Sequence, residues 1–166
     1  MLYGLIIFSI LVILLALAMR KSSKRHVYYR KRAKKVFRKI PHGVENGGRA
    51  FSFLRRINPY VFEEMVLDGF EKKGFSVKRN KRYSGDGGID GRVVYEGREY
   101  LVQCKRYRSY INPQHVNDFA EVCRRCGRDG YFVHTGKTGK GSKEISYKTN
   151  VKIISGNKLL ELLCLN

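Results

Sequence analysis

The sequence has no tryptophan, three prolines, and only 14 acidic residues against 34 lysines and arginines. The shortage of carboxylates leaves a formal net charge of +20. So large a basic excess points to an acidic partner, either nucleic acid or an anionic membrane surface. Length is limited too: 166 residues hold one ordinary domain and a short appendage, not two full domains. Apolar residues are not scarce, at 43%, which excludes a wholly disordered chain. Internal repeats are absent, and no Ser-His-Asp arrangement stands out.

Charge is missing altogether from Leu2 to Met19, 18 residues that also lack Asn, Gln and Pro. As a helix this run is about 27 Å long, close to the hydrocarbon thickness of a bilayer. It predicts a transmembrane helix over 1–19. A secretory signal peptide competes, through the small residues of Ala16-Leu17-Ala18. Against it, no Lys or Arg precedes the run, and cations follow immediately. That asymmetry predicts a single-pass protein of the cytoplasmic membrane, with its C-terminal domain in the cytoplasm. Arg20 to Lys39 carries 11 Lys and Arg and no acid, yet the rest of the chain keeps 23 basic against 14 acidic residues, a net +9. Residues 20–49 read as a basic juxtamembrane stalk on anionic lipid, closed by a Pro/Gly-containing linker at 41–48. A nucleic-acid contact is the other use for the same cations.

Residues 50–166 have the periodicities of a compact domain. Asn58-Pro59 and Asn112-Pro113 each start a helix, with Asn as cap and Pro in the first turn. Phe62, Met65, Val66 and Phe70 recur at helical spacing, as do Val116, Phe119, Ala120 and Cys123. Gly74 and Gly127 end these helices. Strands are expected at 75–79, 89–95, 98–105, 131–135 and 151–154, with Glu96-Gly97 as a two-residue turn. A short helix is expected at 142–148, and Asn157 starts a last one bearing Leu159, Leu160, Leu162 and Leu163. The fold class is α/β: a mixed central sheet flanked by helices, in the order α-β-β-β-α-β-α-β-α, preceded by one transmembrane helix.

The Glu96-Gly97 turn makes facing residue numbers sum to 193. Asp90 then faces Gln103, and Lys105 lies two positions on, so an acid, an amide and an ammonium project from one face. Cys104 points the other way. Asp90 and Gln103 can offer oxygen to a hard divalent cation, and Lys105 can position water or offset phosphate charge. An ordinary solvated hairpin is the plain alternative.

Three motifs carry a family resemblance: Phe62-Glu63-Glu64, Gly85-Asp86-Gly87-Gly88-Ile89-Asp90, and Val102-Gln103-Cys104-Lys105-Arg106-Tyr107. With Thr135-Gly136 and Ile154-Ser155-Gly156 they resemble the Mrr-type restriction endonuclease domain of the PD-(D/E)XK nuclease superfamily, over most of 55–163. The resemblance implies a restriction-endonuclease-like fold and hydrolysis of DNA phosphodiesters with Mg2+ or Mn2+. It implies Asp90 as metal-binding acid, Gln103 in the place of the usual Glu, and Lys105 as catalytic lysine. Glu63 would be the helix-borne acid, with Glu64 the lesser candidate, and the Cys104 backbone carbonyl would complete the metal shell. The function expected is a membrane-anchored, metal-dependent DNA endonuclease in restriction or DNA processing. The alternative is a non-catalytic, membrane-tethered DNA-binding module on the same fold. One active site cuts one strand, so a double-strand break calls for a homodimer or two events.

Gly136-Lys137-Thr138 is not a Walker loop, because position 131 is Tyr where that pattern needs Gly. Lys137, Lys140 and Lys143 are instead candidates for DNA phosphates, a solvated loop being the alternative. Cys123 and Cys126 have zinc-like spacing but no second close pair, so core or surface thiols are expected. His134 is expected to be a packed residue.

Overall fold

The computed structural model describes Phe8, residues 25–80 and residues 88–165. The apolar run therefore lies outside the described residues apart from Phe8, as does the 84–87 turn. Among the described residues, no helix is long and apolar enough to cross a membrane.

Residues 25–37 form helix α1. A 3-10 turn at Val44–Asn46 leads into α2 (Gly47–Leu54) and α3 (Pro59–Lys72). Then come β1 (Ser76–Arg79), β2 (Gly91–Tyr95), β3 (Arg98–Lys105), α4 (Pro113–Cys126), β4 (Asp129–His134), α5 (Lys140–Lys148), β5 (Val151–Ile154) and α6 (Asn157–Leu163). From α3 onward the element order is the one the sequence predicts.

Local chemistry explains the boundaries. The Asn58 and Asn112 side chains each accept a backbone N–H two residues on, from Tyr60 and Gln114, at 3.0 Å. Both prolines sit in the first turn, where a missing N–H costs nothing. Gly127 closes α4 in the left-handed conformation. Glu96 and Gly97 both take positive φ, +49° and +74°, the pattern of the tight turn that matches strand twist.

The sheet order is β1-β2-β3-β4-β5. The first three strands are antiparallel, and β3-β4-β5 are parallel. Helices α3 and α6 cover one face, where Phe62, Val66, Leu159 and Leu163 pack on Val93 and Val102. Helix α4 covers the other, with Val116 and Phe119 on Leu101 and Phe132. The two helices differ accordingly. α4 buries a single stripe, whereas α3 is buried almost all round.

The N-terminal part differs from a stalk and bare linker. Ala33 and Ile40 are buried in the same core as α3. α1 lies on an acidic ridge of α3, with His26 Nδ1 on Glu64 (2.9 Å) and Arg30 Nε on Asp68 (3.0 Å). Arg79 of β1 joins the same ridge, at 2.8 Å from Glu64 and 2.5 Å from Asp68. At 41–48, Gly43 N–H bonds the Leu165 carbonyl, and α2 has already begun. A basic run reads as solvated only until an acidic partner surface is known. That surface is made by residues 38 to 41 positions away.

Candidate active site

The β2–β3 register sums to 193 from Tyr95–Arg98 to Gly91–Val102, as the turn requires. It breaks at Asp90. The Asp90 N–H donates to the Val102 carbonyl at 2.8 Å, so Asp90 and Gly91 both stand opposite Val102. This is a one-residue bulge, a device that re-aims a side chain. The Asp90 carboxylate does not project with Gln103. Its Oδ2 accepts the Cys104 backbone N–H at 2.6 Å. The expected one-face convergence of Asp90, Gln103 and Lys105 is thus replaced by a site at the strand ends, reached from both faces.

The bulge brings Asp90 beside α3. Asp90 is the first charged group to act on Glu63, ahead of Glu64. Burial, then Asp90, then Glu64 push the Glu63 carboxyl up to about 8, and Arg106 opposes them. Burial pushes Asp90 up to about 6, against the Cys104 N–H and the Lys105 ammonium. Glu64 faces elsewhere: it is 1% exposed and held by His26 and Arg79. Of the two acids of the Phe-Glu-Glu motif, Glu63 is therefore at the site and Glu64 in the α1–α3–β1 ion-pair cluster.

Gln103 and Lys105 do share a face. Both line a cavity of about 370 Å3 against α4, with His115, Asp118 and Arg125. The Gln103 amide nitrogen donates to the Gly88 carbonyl at 2.7 Å, which leaves the amide oxygen as the group free of that bond. Gly88 has φ +86°, and a side chain there would run into the Gln103 amide. The glycine in the Gly-Gly-Ile-Asp motif is thereby explained. Cys104 points oppositely, with a fully buried thiol pushed up by burial and by Asp90.

Sequence reasoning gave no role to Arg106, which straps the site together. Its guanidinium donates to the carbonyls of Arg55 (3.1 Å) and Ile57 (2.5 Å), fixing the end of β3 to the segment before α3. Its place directly after Lys105 in the motif was the available signal. His115 was also left without a partner. Its ring meets the Tyr107 hydroxyl beside the Lys105 cavity.

Lys137, Lys140 and Lys143 are not brought to the cavity that Gln103 and Lys105 line. Lys137 Nζ lies over the Tyr110 ring, 5.8 Å from its centroid. Lys140 opens α5, and Lys143 lines a separate cavity by β5. His134 is fully buried, as expected. Cys104 and Cys123 are buried thiols, and Cys126 and Cys164 are exposed ones.

Among the described residues, no three His, Cys, Asp or Glu side chains surround one point. The available donors are two carboxylates and an amide oxygen. They suit a hard divalent cation: burial pushes both carboxyls up, and Asp90 adds to the rise at Glu63, so a bound cation would favour their charged forms.

The comparisons agree with this architecture. The restriction endonuclease family model of the Mrr catalytic domain matches residues 54–163. The chain belongs to that family. Among solved structures, it is similar to the MspJI restriction endonuclease in complex with a 27-mer oligonucleotide, with a TM-score of 0.57 and 24% identity over 74% of this chain. It spans only 32% of the MspJI chain. A second likeness, at TM-score 0.49 and 19% identity, is to AF1548, a protein of unknown function, over 62% of this chain and 65% of that one. No curated protein matches the chain.

Proposed function

We propose that this protein is a membrane-anchored, divalent-metal-dependent DNA endonuclease with its nuclease domain in the cytoplasm. The observation that carries the catalytic reading is the pair Asp90 and Glu63, two acids pushed up by burial, with the Asp90 charge raising Glu63 and the Lys105 ammonium acting on Asp90. Asp90, Glu63 and the Gln103 amide oxygen, with the Cys104 carbonyl, would hold Mg2+ or Mn2+. When bound, the cation supplies Lewis acidity at a phosphodiester oxygen and a more acidic water. The chain supplies the rest. Lys105 brings an ammonium whose charge reaches Asp90, and it would offset phosphate charge. Arg106 keeps α3 at its distance from β3 and so keeps Glu63 in place. The Gly88 carbonyl holds the Gln103 amide.

The membrane part rests on the uncharged run from Leu2 to Met19 and the cations after it. The DNA part rests on family membership and the net +20. The test is incubation of purified full-length protein, in neutral detergent, with plasmid DNA in magnesium, manganese or chelator. Cleavage in either metal and none in chelator is expected. Intact plasmid in both metals would favour the non-catalytic DNA-binding module.

A further inference from the structure

A second cavity, larger than the one lined by Gln103 and Lys105, has a volume of about 690 Å3 and lies along β5, between α5 and the start of α6. That is ample for a small organic ligand. Three lysines line it, Lys143, Lys152 and Lys158, and no carboxylate does. Three ammonium groups around one concavity without an acid repel one another and invite an anion.

A hydrogen-bond chain ends in the same cavity. The Gly136 N–H donates to His134 Nδ1 at 3.1 Å. His134 is fully buried, and burial pushes its pKa down to about 4, so the ring is neutral and carries its proton on Nε2. Nε2 then donates to Thr138 Oγ1 at 3.1 Å. Thr138 Oγ1 and Ser155 Oγ share a hydrogen bond at 3.0 Å, and both hydroxyls line the cavity. A hydroxyl at this wall can offer its O–H to an oxyanion.

The rim carries Tyr147, 89% exposed and one helical turn beyond Lys143 on α5. Exposed ring faces beside lysines are the elements of base stacking with phosphate capture. The wall is firm, because Ser146 Oγ bonds the Val151 carbonyl at 2.7 Å and ties α5 to β5.

We infer that this cavity binds a nucleoside phosphate, with the base stacked on Tyr147 and the phosphate held by the lysines and the Ser155 hydroxyl. β5 is two strands from β3, about 10 Å across the sheet. A strand engaged there can continue toward the cleavage centre. The inference rests on the nucleic-acid part of the proposed function but not on catalysis.

The experiment is fluorescence anisotropy of a labelled oligothymidylate against the full-length protein in neutral detergent and chelator. Tyr147→Ala should weaken binding about five- to hundredfold, as loss of one stacked base does. Tyr147→Phe should restore it to within about twofold. Lys152→Glu should weaken it and flatten the dependence of log affinity on log salt by about 0.7 for each phosphate left without its cation. Displacement of the label by thymidine monophosphate, abolished in Tyr147→Ala, would identify a free nucleotide as the source. Failure of the mononucleotide to compete, with the Tyr147 dependence intact, would identify a strand. Parent-like affinity in both Tyr147→Ala and Lys152→Glu overturns the site. A protein that cuts no plasmid but keeps the Tyr147 dependence loses the nuclease reading and keeps this one.

Discussion

At the residue scale, Asp90 and Glu63 carry charge against their surroundings. Both are pushed up by burial, Glu63 to about 8 and Asp90 to about 6. A raised carboxyl favours the folded state while protonated. That contribution is full below the unfolded pKa near 4 and is lost as pH rises through the folded values. Without metal, thermal stability should therefore fall between about pH 5 and pH 8. Glu63→Gln should melt higher than the parent at pH 8 in chelator and coincide with it near pH 4.5, measured by differential scanning calorimetry. Magnesium should stabilise the parent at pH 8 and not Glu63→Gln. In cleavage assays Asp90→Ala and Lys105→Ala should lose activity by several orders of magnitude yet still bind DNA, because many other cations meet the phosphates. Gln103→Glu should stay active and require less magnesium, since it adds charge to a hard-cation site. An Asp90→Ala protein that cuts like the parent would end the assignment of the active site to Asp90.

Single elements show where local sequence suffices and where it fails. The Asn58 and Asn112 caps are local devices, and each replacement by Ala should cost about 1 kcal/mol in chemical denaturation. The Glu96-Gly97 turn is also local. Glu96 has φ +49°, a conformation that favours Asn over Glu, so Glu96→Asn should gain about 0.5 kcal/mol in the same measurement. The bulge at Asp90 is not local. A period of two predicts Asp90 on the Gln103 face, and that holds only while the ladder is regular. What displaces it is a set of contacts from other elements: the Cys104 N–H, which takes its carboxylate, and α3 across the strand end. The motif marks Asp90 and Gln103 along the chain, while the orientation of Asp90 comes from the packing.

For the whole molecule, the question is what the basic N-terminal segment is for. His26 and Arg30 are committed to the α3 ridge, and Ala33 and Ile40 to the core. Among the described residues, Lys31, Arg32, Lys34, Lys35, Arg38 and Lys39 remain exposed. They are the ones left for lipid or DNA. A fragment beginning at residue 25 should fold with a melting temperature close to that of the parent domain. One beginning at residue 41 should melt several degrees lower, because it uncovers apolar core and removes cations from Glu64 and Asp68. Arg79→Ala should be among the costliest single changes, about 3 kcal/mol, since it takes a partner from the buried Glu64. For topology, a reporter active only in the cytoplasm and fused after Asn166 should be active, and the chain should resist carbonate extraction. Recovery of a shortened, exported protein would establish the signal-peptide reading.

The sequence by itself determined the features that need only neighbours along the chain. These are the two Asn-Pro helix starts, the glycine stops, the tight hairpin, the strand order along the chain and the motifs that mark the family. Capping, turn conformation and periodicity act within a few residues, so they are written locally. Tertiary structure alone decided that α1 closes over α3, that Glu64 belongs to an ion-pair cluster while Glu63 feels the charge of Asp90, and that a hydrogen-bond chain from His134 reaches Ser155. Each of these joins residues at least 15 positions apart, across elements whose approach depends on how the sheet and helices pack. Charge and burial at those points are properties of the assembled fold, because a side chain's partners are set only when distant segments meet.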